Sequence, residues 1–205
     1  MLLLLTVAMA PALKKVVVTG ATQGIGLAIV ERMLKDFDDV HVYLGARKNG
    51  DAAREQILSK LGAAVAPRLD VVSLDVDDEA SIRAAAAQVG PVHGVINNAG
   101  IGFGRGFEAT LRTNFWGTKL VCETFEVTHR IVNIASASGP NFLSRCEDDF
   151  DVLAKPQDHS IDEVCAIARR FEQLTDYDNQ AYGLSKACVN AYTHMLAKTR
   201  PDLLV

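Results

Sequence analysis

The sequence lacks the signatures of several classes of protein. Its four cysteines form no C-x-x-C pair and its five histidines show no metal-ligand spacing, which argues against a metal site. We interpret the scattered cysteines as reduced thiols in a reducing compartment. The net charge of -4 and the absence of a Lys/Arg cluster interleaved with aromatic residues argue against nucleic-acid binding. Internal repeats and low-complexity tracts are also absent.

The N-terminus is apolar, but residues 1–10 are too few to span a bilayer. Ala8-Met9-Ala10 resembles the cleavage triplet of a secretory signal, yet the positively charged segment that opens such a signal is missing. We therefore predict an N-terminal extension over residues 1–13, no membrane association and a cytoplasmic location. A targeting role of the extension stays open as the alternative.

Two kinds of hydrophobic segment alternate along the chain. With 205 residues, 49% hydrophobic and 22% charged, the chain has the size and composition of one globular domain. Short β-branched runs alternate with longer segments of helical periodicity, which predicts an α/β fold: a doubly wound, Rossmann-like parallel sheet. The runs are residues 16–19, 40–44, 69–74, 92–97 and 130–134, and the helical segments are residues 25–35, 52–61, 79–88 and 107–125.

The alternation ends after the fifth run. Residues 138–179 form a long insertion with acidic patches and one predicted helix, which begins at the capping box of Ser160 and Glu163. Residues 203–205 have the character of the start of a sixth strand. We therefore predict a dinucleotide-binding domain over residues 14–205 that is incomplete at its C-terminus. The apolar stripe of the insertion helix consists of Ile161, Val164, Ile167, Ala168 and Phe171.

A glycine-rich turn follows the first run and opens the first helix. Gly20 can turn sharply, Gly24 lets the backbone approach a pyrophosphate, and Gly26 allows the helix to pack closely on the sheet. The helix N-terminus adds amide donors for the same anion. The turn predicts dinucleotide binding, with a purely structural turn as the alternative. Further candidates within the turn are Thr22, Gln23 and Ile25.

The cofactor is predicted from the end of the second run, where Arg47 and Lys48 stand. Proteins that bind NAD usually place an acidic residue here, which accepts from the ribose hydroxyls. Arg47 cannot accept a hydrogen bond, but its guanidinium matches the extra phosphate of NADP. We therefore predict NADP(H), with Lys48 adding positive charge. A surface arginine in a loop is the alternative.

Polar residues also follow the third, fourth and fifth runs. Asp75, which precedes Val76, can accept from the adenine amino group or cap the next helix. Ser136 can donate a hydrogen bond to a substrate oxygen where negative charge develops, or it can simply form a turn. The fourth run ends in small residues that let the backbone lie against a nucleoside or form a turn: Asn98, Ala99 and Gly100.

Tyr182 and Lys186 are four residues apart on a predicted helix and therefore share one face. A phenol ionises near pH 10 and is a poor acid–base catalyst at neutral pH, but a neighbouring cation lowers that pKa toward the working range. Together with the glycine turn, the pair predicts a redox enzyme in which a tyrosine faces a bound dinucleotide.

The combined motifs resemble the short-chain dehydrogenases/reductases, and within them the NADPH-dependent carbonyl reductases. The resemblance covers about residues 14–200. It implies the reduction of a ketone, aldehyde or quinone to an alcohol by hydride transfer from NADPH, with a small-molecule carbonyl compound as the binding partner. The motifs stand in the family's order: the glycine turn, Asp75, residues 97–100, Asn114, Ser136, Tyr182 and Lys186.

The resemblance also implies a role for each catalytic residue. Tyr182 is the general acid, and Lys186 holds the ribose of the cofactor and lowers the pKa of the tyrosine. Ser136 orients the substrate, and Asn114 positions a water in the relay that resupplies the proton. Both Tyr182 and Lys186 thus contact the cofactor.

Two further expectations follow from the carbonyl reductase branch. Its helical insertion covers the face through which most relatives pair, so residues 160–174 predict a monomer. The family's last strands, with the turn that binds nicotinamide, have no counterpart after Val205. The alternative function is therefore a truncated, catalytically inactive isoform or fragment that at most binds NADP or a partner chain.

Overall fold

The structure is a computed structural model that describes residues 12–145, 150–175 and 180–205. Most of the predicted N-terminal extension lies outside the described residues. Among the described helices, none combines the length and the apolarity needed to cross a membrane.

Five parallel strands form one sheet in the order β3-β2-β1-β4-β5. Because the strand order reverses between β1 and β4, a crevice opens at the carboxyl ends of these strands. The predicted doubly wound fold is therefore confirmed. The strands are β1 (Lys14–Val18), β2 (Val40–Ala46), β3 (Leu69–Ser73), β4 (Val92–Asn97) and β5 (Val127–Asn133).

The central strand β1 shows why the strands of the sheet could be predicted from the sequence. Val16, Val17 and Val18 are all buried, because helices cover both faces of the sheet. The edge strand β5 is different, since Thr128, His129 and Arg130 are exposed. The prediction that this strand starts at residue 130 is wrong: its first residue, Val127, is buried, but the three exposed polar residues that follow interrupt the apolar run.

The crossover helices lie where the periodicity predicts them. They are α1 (Gly24–Asp36), α2 (Gly50–Leu61), α3 (Glu79–Val89), α4 (Gly106–Leu111) and α5 (Thr118–Thr124). The single helix predicted over residues 107–125 is instead α4 and α5 joined by a π-helical turn, Arg112–Gly117. At the end of this turn, a Cβ added to Gly117 would lie 2.7 Å from the carbonyl oxygen of Val76, so the helix passes directly against the loop after β3.

The insertion contains more helix than the single one predicted. Its described elements are α6 (Ser138–Leu143), α7 (Asp151–Ala154), a short 3-10 turn (Pro156–Asp158) and α8 (Ile161–Glu172). The sequence of α6 hides its helix, because Gly139 and Pro140 are weak helix formers. Gly139 allows α6 to pack closely on the final helix, because an added Cβ at this position would lie 2.9 Å from the backbone nitrogen of Ala187.

The predicted capping box at the start of α8 is confirmed, since Ser160 and Glu163 bond reciprocally. Val164 and Ala168 of the predicted apolar stripe are fully buried. Phe171 packs against Phe107 of α4 with ring centroids 5.3 Å apart. The insertion helix therefore covers α4 and the long final helix, α9 (Ala181–Thr199).

The last residues lie beside β5. The backbone nitrogen of Ile131 donates to the carbonyl oxygen of Leu204 at 2.8 Å, and that of Leu204 donates to His129 at 2.9 Å. Leu204 pairs with Arg130 in the parallel direction. The segment that was predicted to begin a sixth strand therefore lies beside the fifth strand, with which it forms one isolated β-bridge.

Candidate active site

A cleft of about 570 Å³ lies at the carboxyl ends of β1 to β4. Ligands of open α/β sheets bind at this edge. The structure also places in its lining residues that the sequence did not indicate, among them Asn49, Asp77 and Thr113. The predicted cofactor residues that line the cleft are Gly20, Thr22, Gln23, Gly24, Ile25, Arg47, Asp75, Val76, Asn98, Ala99 and Gly100.

The three glycines of the turn serve different needs. Gly20 has φ +62°, and a Cβ added to it would lie 2.8 Å from Cα of Ala99. A Cβ added to Gly26 would collide with the side-chain nitrogen of Asn98 and lie 2.7 Å from the carbonyl oxygen of Gly20. Gly24 has φ +56° and nothing within 4 Å of an added Cβ, so its backbone faces open space.

Helix α1 presents a free N-terminus to this space. Its capping residue, Gln23, makes no side-chain hydrogen bond to the first turn, and the first turn carries no acidic residue. The first backbone amide groups of α1 therefore have no hydrogen-bond acceptor from the capping side chain. The positive end of the helix dipole also has no acidic side chain beside it. This arrangement suits a pyrophosphate, so the turn fits a dinucleotide cofactor.

The glycine turn is locked to the loop after β4 by reciprocal hydrogen bonds. Thr19 is 1% exposed, and its hydroxyl accepts from the backbone nitrogens of Asn98 at 3.1 Å and Ala99 at 3.0 Å. The Asn98 side chain donates to the carbonyl oxygens of Thr19 and Gly20 at 3.0 and 3.1 Å. Thr19 opens the glycine-turn motif in the sequence, but the sequence did not indicate its hydrogen bonds to residues 98 and 99.

The predicted phosphate-binding arginine lies between two carboxylates. Arg47 is 3.7 Å from Asp75 and 3.8 Å from Asp77, and 63% of its side chain is exposed. Asp75 does not cap α3, because that position belongs to Asp78, which accepts from the nitrogen of Ala80. One carboxylate oxygen of Asp77 is buried with no hydrogen-bond partner among the described residues.

Helix α9 brings Tyr182 and Lys186 together. The ammonium of Lys186 lies 5.8 Å from the centroid of the Tyr182 ring and donates to the carbonyl oxygen of Ile134 at 2.7 Å. Ile134 directly follows β5, so this bond ties the pair to the carboxyl edge of the sheet. Lys186 is only 6% exposed, and this burial lowers the pKa of its ammonium below the usual value.

Asn114 connects α9 with the loop after β4. It lies in the π-helical turn, is 1% exposed, and its side chain exchanges hydrogen bonds of 2.8 and 3.0 Å with the backbone of Ile101. It also donates to the hydroxyl of Ser185 at 3.0 Å, which in turn donates to the carbonyl oxygen of Tyr182 at 2.8 Å. Sequence reasoning missed Ser185, and the role of Asn114 in positioning a water stays a prediction.

Ser136 lies in the turn between β5 and α6. Its hydroxyl accepts from the backbone nitrogen of Ser138 at 3.1 Å, so it shapes the turn and keeps its hydrogen for a second partner. The same turn approaches α9 closely, since a Cβ added to Gly183 would lie 3.1 Å from the carbonyl oxygen of Ser138. Ser136 therefore stands near the helix that carries Tyr182.

Comparison with known proteins assigns the chain to one family. A model of the short chain dehydrogenase family matches residues 14–145. Carbonyl reductase (NADPH) 3 of Mus musculus is 31% identical over 206 residues, which are 88% of this chain and 73% of the mouse protein.

Two solved structures are also similar. A carbonyl reductase with bound NADPH from chicken fatty liver has a TM-score of 0.62 and 26% identity, covering 92% of this chain and 71% of that one. Salutaridine reductase of Papaver somniferum has a TM-score of 0.81 at 21% identity, covering 94% and 84%, and supports the fold alone. The chain therefore belongs to the short chain dehydrogenase family and is similar to carbonyl reductases.

Proposed function

We propose that the chain reduces a carbonyl compound to an alcohol with NADPH, using Tyr182 as the general acid. The observation that carries this proposal is the position of the Tyr182–Lys186 pair. Lys186 is bonded to the end of β5, at the same edge of the sheet as the cleft lined by the glycine turn. The proposed proton donor and the cleft therefore lie at the same edge of the sheet, although Tyr182 and Lys186 are not among the residues that line the cleft.

The cofactor is NADP(H), and the residues of the cleft fit it. The glycine turn and the free N-terminus of α1 hold the pyrophosphate, and Arg47 holds the additional phosphate. Asp75 and residues 98–100 contact the adenosine portion. When bound, the cofactor supplies the hydride that reaches the carbonyl carbon.

The protein supplies the proton and the hydrogen bond that polarises the carbonyl group. Tyr182 donates its proton to the carbonyl oxygen, and Ser136 donates a hydrogen bond to the same oxygen. The ammonium of Lys186, 5.8 Å from the centroid of the Tyr182 ring, also binds the ribose. Asn114 positions a water from which the proton is resupplied.

The Arg47→Ala variant tests the choice of cofactor. Because a hydrogen-bonded charge pair contributes about 1.5 to 3 kcal/mol, the KM for NADPH is expected to rise roughly 10- to 150-fold. The KM for NADH, which lacks the phosphate, should change little. A Lys35→Ala variant, on the surface of α1, serves as the control. Equal changes for both cofactors would show that Arg47 does not read the phosphate.

The reaction is tested by following NADPH oxidation with a panel of quinones and aromatic aldehydes, while product alcohol is quantified. The proposal expects alcohol formed in equal amount to the NADPH consumed. The alternative of an inactive cofactor binder predicts quenching of Trp116 fluorescence by NADPH without any alcohol.

We also propose that the protein acts as a monomer. Val164, Ala168 and Phe171 of α8 are buried against the helices that the insertion covers, so this apolar face is already occupied within one chain. Light scattering after gel filtration should give the mass of one chain, 22.1 kDa. Twice that mass would contradict the proposal.

A further inference from the structure

The loop after β4 places an exposed aromatic ring on the proposed proton donor. Phe103 is 63% exposed, and its ring centroid lies 4.7 Å from that of Tyr182 with the planes tilted by 54°. Aromatic pairs favour such separations. A single exposed phenylalanine is ordinary, and Phe37 at the end of α1 is 54% exposed. Phe103 differs from Phe37 because it contacts the side chain that we assign to chemistry.

The backbone around Phe103 is built for movement. Glycine occupies positions 102, 104 and 106, and the latter two have φ of +76° and +75°. A Cβ added to Gly102 would meet nothing within 4 Å. Because glycine adopts many conformations at little steric cost, residues 102–106 can carry the ring toward or away from Tyr182. We name residues 102–106 the aromatic flap.

Both ends of the aromatic flap are fixed. Ile101, which precedes it, exchanges two backbone hydrogen bonds with the side chain of Asn114. Phe107, which follows it, is 4% exposed and packs on Phe171. Three of the five residues between these anchors are glycines, so this is the part of the loop with the greatest backbone freedom.

The flap also borders the cofactor cleft, because Gly100 and Ile101 line that cleft immediately before it. A substrate that brings its carbonyl oxygen to Tyr182 must come close to Phe103. From these contacts, we infer that Phe103 is a specificity-determining residue that selects flat aromatic or conjugated carbonyl compounds. The ring of the substrate would stack on the ring that now lies against Tyr182. This inference rests on the proposed function, since it assumes that Tyr182 faces the substrate.

Two aldehydes of equal carbon count test the inference: benzaldehyde, which is flat, and cyclohexanecarbaldehyde, which is not. Loss of one aromatic stacking contact in Phe103→Ala should raise the KM for benzaldehyde about 2- to 12-fold. The KM for cyclohexanecarbaldehyde should stay within about 2-fold of wild type, because this compound cannot stack. Phe103→Tyr should restore the low KM, and Phe37→Ala should leave both values unchanged.

A binding measurement separates this inference from the proposed function. Ligand-observed NMR with NADP+ present gives the dissociation constant of each aldehyde without turnover. A larger loss of affinity for benzaldehyde than for cyclohexanecarbaldehyde in Phe103→Ala supports the inference even if neither aldehyde is reduced, in which case the proposed reaction fails for them. Equal weakening of both aldehydes, or equal benzaldehyde binding by the two proteins, would overturn the role of Phe103 and leave the reaction standing.

Discussion

Tyr182→Phe is expected to lose about 100- to 10,000-fold in turnover, because the variant lacks the hydroxyl that donates the proton. The substitution keeps the ring, and with it the contact to Phe103 at 4.7 Å. The dissociation constant for NADPH should stay close to the wild-type value, because the glycine turn, Arg47 and Lys186, which hold the cofactor in our proposal, are unchanged. Steady-state rates and fluorescence titration with NADPH measure the two quantities separately.

A matched control comes from Tyr43, which stands on β2 inside the sheet rather than on α9. Tyr43→Phe removes the same hydroxyl elsewhere and should leave turnover unchanged. If Tyr182→Phe retained wild-type turnover, another group would have to supply the proton. If it lost NADPH binding together with turnover, the tyrosine would act through the cofactor site instead.

Lys186→Met is expected to reduce turnover about 100- to 1,000-fold, the size of effect seen when one preorganised electrostatic contact is removed. It should also raise the dissociation constant for NADPH, because the lysine binds the ribose in our proposal. Lys198→Met, an exposed lysine on the same helix, is the matched control and should change neither quantity.

The stability of Lys186→Met distinguishes a functional lysine from a structural one. The variant loses the hydrogen bond from the charged ammonium to Ile134, which contributes about 1.5 to 3 kcal/mol, but it also removes the penalty of a buried charge. Burial lowers the pKa of Lys186, so the folded protein holds this proton less tightly than the unfolded chain. The resulting penalty is present at neutral pH and disappears as the pH rises through the usual range for lysine.

We therefore expect the free energy of unfolding at neutral pH to change by less than about 1.5 kcal/mol in Lys186→Met. At alkaline pH the wild type should gain stability relative to the variant, since only the wild type loses the penalty. Denaturant unfolding of both proteins at neutral and alkaline pH measures this. A large loss of stability at neutral pH would indicate that the lysine mainly supports the fold.

The sheet was predictable because its strands are buried on both faces and read as unbroken apolar runs, as in Val16, Val17 and Val18. Where a strand is buried on only one face, or on neither, its sequence no longer shows an unbroken apolar run. The exposed half of β5 at Thr128 and His129 was missed for this reason. Helix α6 was missed because Gly139 and Pro140 are weak helix formers. The periodicity of hydrophobic residues indicates which helices and strands are buried. It gives little information on elements that form because neighbouring elements pack against them.

The cleft was predictable because parallel strands bring their carboxyl ends to one edge, so residues far apart in sequence meet there. Contacts between side chains were not predictable in this way. The bonds of Thr19 to residues 98 and 99 and the bond of Asn114 to Ser185 depend on how two loops and a helix dock. Phe103 had no sequence signal beyond the glycines around it, since only folding brings it to Tyr182.

Transfer of deuterium tests the central proposal most directly. The protein would be incubated with a reducible aromatic aldehyde and with NADPH that is deuterated at the transferable position of its nicotinamide. Mass spectrometry of the product alcohol should then find one deuterium on the former carbonyl carbon, and the Tyr182→Phe protein should give almost none. NADPH binding by the wild type with no labelled alcohol from any carbonyl compound of the panel would contradict the account.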